Sequence, residues 1–301
     1  MFTNPTRDTM PDMKRSQALF AGIVFVSLLM GIPGNSWSED TVVRIATGGR
    51  GFTYRSVYAP NLEKLMPGYK FVYLPSEGSG QNIDLLAAGK ADIAFSQSDV
   101  YAVKESQEPN RFKNVLPIGQ IAPECIYIAR QARPPKTTLE EMAGKGSANY
   151  AVIAIGNYNG GMLWSWAYLQ SLIAGLDNVR ASEESGTLAL NHLAFGSLDA
   201  VGWISDPNNS EHKMLKAVQA NEGLELMPLT NPALTAARAD GSPVYEALKV
   251  PGGPKGKGPE IQTICTSAMI FTRKDAPPQL IEKLSDLVSL SKDKIAPVQK
   301  R

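Results

Sequence analysis

The sequence predicts an α/β fold of two lobes, each a mainly parallel sheet flanked by helices, joined by two long strands. Three observations carry this. Strand-like and helix-like stretches alternate from residue 42 onward. The same order of features recurs 107 residues later. Two long strand-like stretches, Val115–Arg130 and Ile261–Arg273, belong to neither copy. Alternating strands and helices form a parallel sheet covered by helices, and recurrence at one offset marks a repeated unit.

In chain order, Val42–Thr47 is a β-branched strand that ends in Gly48-Gly49-Arg50-Gly51. A helix follows to about Met66, its start blurred by Pro60. Tyr69–Leu74 reads as a strand. Ser79–Ala88 is a helix with Ile83, Leu86 and Ala87 on one face and Gly89 as its stop. Asp92–Ser96 is the next strand. The middle of the chain repeats the plan. Tyr150–Ile155 runs into Gly156-Asn157-Tyr158-Asn159-Gly160-Gly161, Met162–Ala174 and Glu184–Ala194 are helices, and Ala200–Ile204 is a strand. Gly49 and Gly156, Glu77 and Glu184, Gly89 and Gly196, and Asp92 and Asp199 are all 107 apart. The two aspartates, just past a helix-ending glycine, read as turn residues. Gly252–Gly258 reads as a flexible loop and Pro277–Leu290 as a closing helix.

Set side by side, the two long strands let the chain leave one lobe, build the other and return. Residues 39–123 and 267–301 then form the first lobe and 124–266 the second. This path brings Cys125 near Cys265. They are either bonded, closing a loop worth up to about 5 kcal/mol in the chain-entropy model, or two buried free thiols.

Composition narrows the function. The chain has 30 Lys+Arg and 29 Asp+Glu, a balance that leaves no electrostatic footprint for nucleic acid or an anionic membrane. Two histidines and two cysteines do not make a Cys/His metal site. Residues 1–38 read as a cleavable export signal: Lys14-Arg15, the apolar run Ala18–Ile32, and Ser36-Trp37-Ser38 as a small-x-small exit. The run is short of the roughly 20 residues that span a bilayer. The remainder is formally neutral and is expected in the periplasm, where a disulfide is permitted.

The candidate site follows from where the glycine-rich loops fall. Each comes after a strand and opens a helix, where free amides and the helix dipole favour an anion. The first loop contributes Thr47, Gly49, Arg50, Gly51, Phe52, Thr53 and Tyr54, and the second Asn157, Tyr158, Asn159 and Gly160. Glu77, Gly78, Ser79, Gln97, Ser98 and Trp203 also fall at C-terminal strand ends, the edge where open α/β sheets bind ligands. A dinucleotide loop is the runner-up, but Tyr54 stands where its third glycine belongs.

Ile45–Tyr54 (IATGGRGFTY), with Leu74–Asp99 (LPSEGSGQNIDLLAAGKADIAFSQSD), resembles the TAXI-type extracytoplasmic solute receptors of TRAP transporters. The likeness is strong over about 40–100 and looser through Glu124, the T-L-E-E-M-A-G-K stretch and the second lobe. It implies a type II periplasmic-binding-protein fold that closes on a ligand without catalysis, often a small organic acid or amino acid such as glutamate or 2-oxoglutarate. Departures fall at the expected ligand positions. Arg50 and Phe52 replace small residues, Arg55 and Ser56 replace Tyr and Pro, and Asn157–Gly161 replaces Gly-Ser-Gly-Thr. Two readings of the ligand stay open. Arg50 or Arg55 pairs with a carboxylate, or Phe52, Tyr54, Tyr158, Trp203 and one of Trp164 and Trp166 line an apolar cleft for a lipidic ligand.

An enzyme would need His192, His212 or a carboxylate pair. His192 sits within a helix as a structural residue, and His212 lies in a polar, solvent-facing stretch. No nucleophile elbow or S-x-x-K motif stands at a strand–helix turn. The expectation is therefore a monomeric, non-enzymatic solute-binding protein without cofactor or metal. Its partners are a small-molecule ligand and a membrane permease, not nucleic acid.

Overall fold

A computed structural model describes residues 41–146, 148–237, 241, 243–251 and 259–297. The proposed export signal and the Gly252–Gly258 loop lie outside these residues.

The first half opens with strand β1 (Thr41–Ala46), helix α1 (Ala59–Lys64), β2 (Tyr69–Leu74), α2 (Ser79–Ala87) and β3 (Ile93–Gln97). Helices α3 (Ser98–Gln107) and α4 (Pro109–Phe112) lead into the 17-residue strand β4 (Val115–Gln131). The second half follows as α5 (Leu139–Gly144), β5 (Val152–Ala154), α6 (Gly161–Leu172), β6 (Arg180–Ser182), α7 (Gly186–Phe195), β7 (Ala200–Ser205), α8 (Lys213–Ala220) and β8 (Leu224–Leu226). The chain returns through β9 (Glu246–Pro251) and the 14-residue β10 (Glu260–Arg273), and α9 (Pro278–Ile295) closes it.

All ten strands join in one sheet of order β2-β1-β3-β10-β4-β7-β5-β6, with β8 beside β4 and β9 beside β10. Strands β2, β1 and β3 run parallel, as do β7, β5 and β6. The long strands β4 and β10 lie antiparallel between these two half-sheets. The mixed α/β architecture expected from the sequence is therefore present, as two parallel half-sheets flanking a central antiparallel pair.

Burial explains why each half holds. Every residue of β3 is buried, as a central strand covered on both faces requires. Val43, Ile45, Ile93 and Phe95 pack with Leu62, Leu284 and Ile295 on one face of the first half-sheet. Ala46 and Ala94 point to the other face, against Ile83, Leu86 and Phe112. In the second half Ile153 joins a core with Met142, Trp166 and Leu169, while Ala154 faces Ala189, Leu193 and Leu198. This alternation is the period-two rule of strands.

The first helix is present as expected and opens in a wider form. Residues Tyr54–Tyr58 are π-helical, with the Ala59 amide donating back to the Tyr54 carbonyl, and the helix runs on as regular α1 from Ala59. Pro60 then sits in the first turn of α1, where a missing amide costs nothing.

The repeat is real, with a small change of offset. Gly48 and Gly156 are the left-handed glycines that end β1 and β5, at φ 83° and 79°, and they are 108 apart. Asp92 and Asp199 do the same work in each half. The Arg44 amide donates to Asp92 (2.8 Å) and the Asp92 amide to the Arg44 carbonyl (2.8 Å). The Val152 amide donates to Asp199 (2.8 Å) and the Asp199 amide to the Val152 carbonyl (2.9 Å). Each aspartate thus starts a strand in register with its parallel neighbour.

Cys125 and Cys265 face each other across β4 and β10 and form a disulfide, leaving no free cysteine among the described residues. The bond closes a span of 140 residues and fixes the register of the central pair. Replacing both cysteines by serine should lower the unfolding free energy by about 2–5 kcal/mol, read by urea denaturation. Native protein unfolded in the presence of reductant should approach the same value.

Candidate functional site

The parallel strands of both halves end at the same place. Thr47 and Gly48 follow β1, Gln97 ends β3, Ile155 and Gly156 follow β5, and Asp206 follows β7. The N-termini of α2, α6 and α7 arrive there through Gly78, Gly160 and Gly186. Together they enclose a cleft of about 400 Å³, within the range of small-molecule sites.

Of the residues singled out from the sequence, Thr47, Gly51, Phe52, Thr53, Tyr54, Glu77, Gly78 and Ser79 line this cleft. So do Gln97, Asn157, Gly160 and Trp203. Five do not. Gly49 packs behind the Phe52 ring, and Arg50 is exposed. Ser98 bonds to Thr266 Oγ1 (2.9 Å) on β10. Tyr158 is 57% exposed. Asn159 stands at the rim, where its side-chain amide donates to Glu77 across the opening.

Two further expectations change. Neither arginine offered for a carboxylate lines the cleft, and the Arg55 guanidinium lies 3.8 Å over the Tyr73 ring instead. His212 is not solvent-facing: its ring stacks on Trp203 at 6.3 Å and lines the cleft, and burial holds its pKa below the usual value. Of the two tryptophans on α6, Trp166 is core and Trp164 packs under the Lys104 ammonium at 3.9 Å. His192 meets Glu184 within its own half, as a structural residue would.

The residues that sequence reasoning missed are mostly acidic or backbone. Glu124, Asp206 and His212 line the cleft, beside Gly48, Gly156, Gly161, Gly202 and the methionines Met162 and Met214. Asp206 had a signal. It is the second polar residue past the apolar run of β7, at the strand edge where ligands bind. Glu124 is the lone acid in a strand of otherwise neutral residues up to Arg130.

Glu124 is 9% exposed, and Tyr54 OH donates to it at 2.7 Å. Burial raises its carboxyl to about 7, the Tyr54 bond opposes this, and the fields of Asp99 and Asp206 add to it. Tyr54 is itself fully enclosed, and burial followed by the nearby Glu124 charge pushes its phenol far up. Tyr127, stacked on the other face of Trp203 at 5.7 Å, is raised to about 12 by burial and then by Asp206.

Below the cleft, Asp99 ties the halves together. Its carboxylate accepts from Ser165 Oγ (2.5 Å) on α6, Tyr245 OH (2.8 Å), Thr266 Oγ1 (3.1 Å) on β10 and its neighbour's amide, Val100 N (2.9 Å). Above it the halves touch backbone to backbone. A Cβ at Gly78 would stand 3.1 Å from Gly160 Cα, and one at Gly80 would stand 2.3 Å from Trp164 Nε1.

Two like α/β halves, a double crossing and a cleft at their facing strand ends define a two-lobed α/β fold. The chain belongs to the NMT1-like family, whose model matches residues 45–295. Solved structures are similar to the chain at low identity. XAC2383 from Xanthomonas citri bound to ATP is 12% identical, with TM-score 0.50 over 84% of this chain and 86% of that one. An ancestral arginine-binding protein bound to arginine is 15% identical, with TM-score 0.49 over 85% and 97%. The periplasmic domain of B. pertussis BvgS is 13% identical, with TM-score 0.46 over 85% of this chain, which spans 42% of that structure's length. No curated protein sequence matches the chain.

The raised Glu124 carboxyl sets a pH dependence. The folded chain keeps a proton that the unfolded chain loses near the ordinary value of 4.5. Stability should therefore fall as pH rises from about 4.5 to 7, because the folded state binds more protons across that window. Glu124→Gln removes this contribution. Its stability relative to the native chain should rise by about 3 kcal/mol across the same window in urea denaturation. A difference that does not change with pH would contradict the assignment.

Proposed function

We propose that the chain is an exported, non-catalytic solute-binding protein. A small polar solute enters between the lobes, bending of β4 and β10 closes the cleft over it, and the closed form docks on a membrane permease. The lobes of this reading are residues 39–123 with 267–301, and 124–266. Residues 1–38 serve as the export signal. The likeness to TAXI-type receptors over about 40–100 makes a TRAP-type permease the partner.

The observation that carries the reading is the cleft itself. The strand ends of two like half-sheets meet across about 400 Å³ lined by eight glycines, Gly48, Gly51, Gly78, Gly156, Gly160, Gly161, Gly186 and Gly202, among other residues. Glycines of this kind let a ligand approach the backbone amides. Contacts between the halves at Gly78 and Gly160, and from Glu77 to Asn159, suit a hinged closure. Among the described residues no helix is long and apolar enough to cross a membrane. A lipidic ligand is the less supported alternative, because Glu124 and Asp206 would face its chain without partners.

Thermal unfolding against amino acids, amines, dicarboxylates and fatty acids tests the reading. A ligand at 100 times its Kd adds about 2.7 kcal/mol, a midpoint shift of roughly 5–10 °C for a chain of this size. Small-angle scattering with the stabilising compound should show compaction; binding without compaction would argue against closure.

Gly80 supplies a second test. It lies in regular helix in α2, where alanine alone is favourable by about 1 kcal/mol. Its new methyl would, however, meet the Trp164 indole from the other half. Gly80→Ala should keep or raise the ligand-free unfolding temperature yet weaken ligand affinity about tenfold or more.

A further inference from the structure

We infer that the cleft recognises its ligand through a cationic nitrogen, a protonated amine or amidine, seated between Glu124 and Asp206. This rests on the solute-binding reading above and names the ligand class for that site.

The first observation is the sign of the cleft. Among the described residues its ionisable carboxylates are Glu77, Glu124 and Asp206, and no described lysine or arginine lines it. Of the cations on the surrounding elements, Arg50 and Lys213 are exposed outside the cleft and three others are engaged elsewhere. Arg44 pairs with Asp92 at 2.7 Å, Lys104 with Asp84 at 2.9 Å, and Arg55 covers Tyr73. His212 supplies no charge near neutrality, since burial lowers its pKa.

The second observation is how Glu124 and Asp206 are placed. Cys125 and Ser205 form a rung between β4 and β7. Glu124 and Asp206 stand one position further, on neighbouring strands at the cleft floor. One oxygen of Glu124 takes the Tyr54 hydroxyl, and Asp206 takes the Asn208 amide at 2.8 Å. Among the described residues neither carboxylate has a cationic partner. Glu124 is buried and Asp206 half-buried, and two acids brought together in this setting are costly unless a positive charge joins them. The field of Asp206 at Glu124, Tyr58 and Tyr127 shows how closely this charge bears on the floor.

The third observation concerns the rest of the ligand. Gln97 Nε2 and Trp203 Nε1 are buried in the cleft lining with no acceptor among the described residues. Buried donors of this kind want a partner. They suit a carbonyl or carboxylate oxygen at the other end of the ligand. A dicarboxylate or keto acid without nitrogen would instead set negative charge against Glu124 and Asp206. The acid-ligand expectation built on Arg50 and Arg55 loses its cation here.

The test uses the exported protein and matched compounds in calorimetry: arginine with citrulline, glutamate with 2-oxoglutarate, and putrescine with succinate. In at least one pair the member with the extra charged nitrogen should bind at least about 30-fold tighter, the effect of one buried charge pair. Glu124→Gln and Asp206→Asn should each reduce that preference while leaving the ligand-free unfolding cooperative. Equal or tighter binding of citrulline, 2-oxoglutarate or succinate in every pair that binds overturns the inference and leaves the solute-binding reading standing. A preference that survives both substitutions overturns the seat assigned to the nitrogen. Binding of none of the six compounds counts against both readings for small polar solutes.

Discussion

The antiparallel pairing of β4 with β10 is the constraint on which everything else depends. The two strands run side by side from Val115 to Ile126 and from Ile264 to Arg273, with the register shifting near Ala268 and again near Ile270. One edge of the pair receives β3 and the other receives β7. Each half-sheet is thus anchored to the same two strands, and the direction of those strands decides that both sets of C-terminal ends point into one cleft. The disulfide at Cys125–Cys265 locks the ladder close to Glu124, so the position of the cleft floor is fixed covalently as well as by hydrogen bonds.

Charge is distributed with the same economy. Outside the cleft, the half-buried acids Asp92, Asp84 and Glu225 are matched, by Arg44, by Lys104 and Arg111, and by Arg130 and Lys136. Asp99, enclosed beneath the floor, is held by three hydroxyls and an amide. Glu124 and Asp206 depart from this pattern by facing open space without a cation. Local departures from otherwise consistent polar pairing mark functional sites more often than structural ones, and here the departure falls where the strand ends converge.

Much of the fold was legible because its signals are local. Strand boundaries at Tyr69–Leu74 and Ile261–Arg273 follow from β-branched and aromatic runs, and helix stops follow from Gly89 and Gly196 in left-handed backbone. The repeat was readable because Asp92 and Asp199 each solve the same local problem, starting a strand in register. The π-helical form of Tyr54–Tyr58 was not, since Pro60 signals a break in regular helical hydrogen bonding and not the form of the turn before it. Twelve of the residues chosen for the site line the cleft because glycine-rich strand ends are recognisable in isolation.

By itself, then, the sequence determined the alternation of strands and helices, the doubling of the unit and the strand edge at which a ligand would sit. Only the tertiary structure decided the sign of that edge. Arg50 and Arg55 adjoin the first loop in sequence yet stand outside the cleft, while His212 sits in a polar stretch yet stacks on Trp203. Glu124 and Asp206 are far apart in the chain and meet through the register of β4 and β7. The physical reason is that periodicity and turn chemistry act over a few residues. Burial and charge pairing depend on which distant strands become neighbours, and no short stretch of sequence records that.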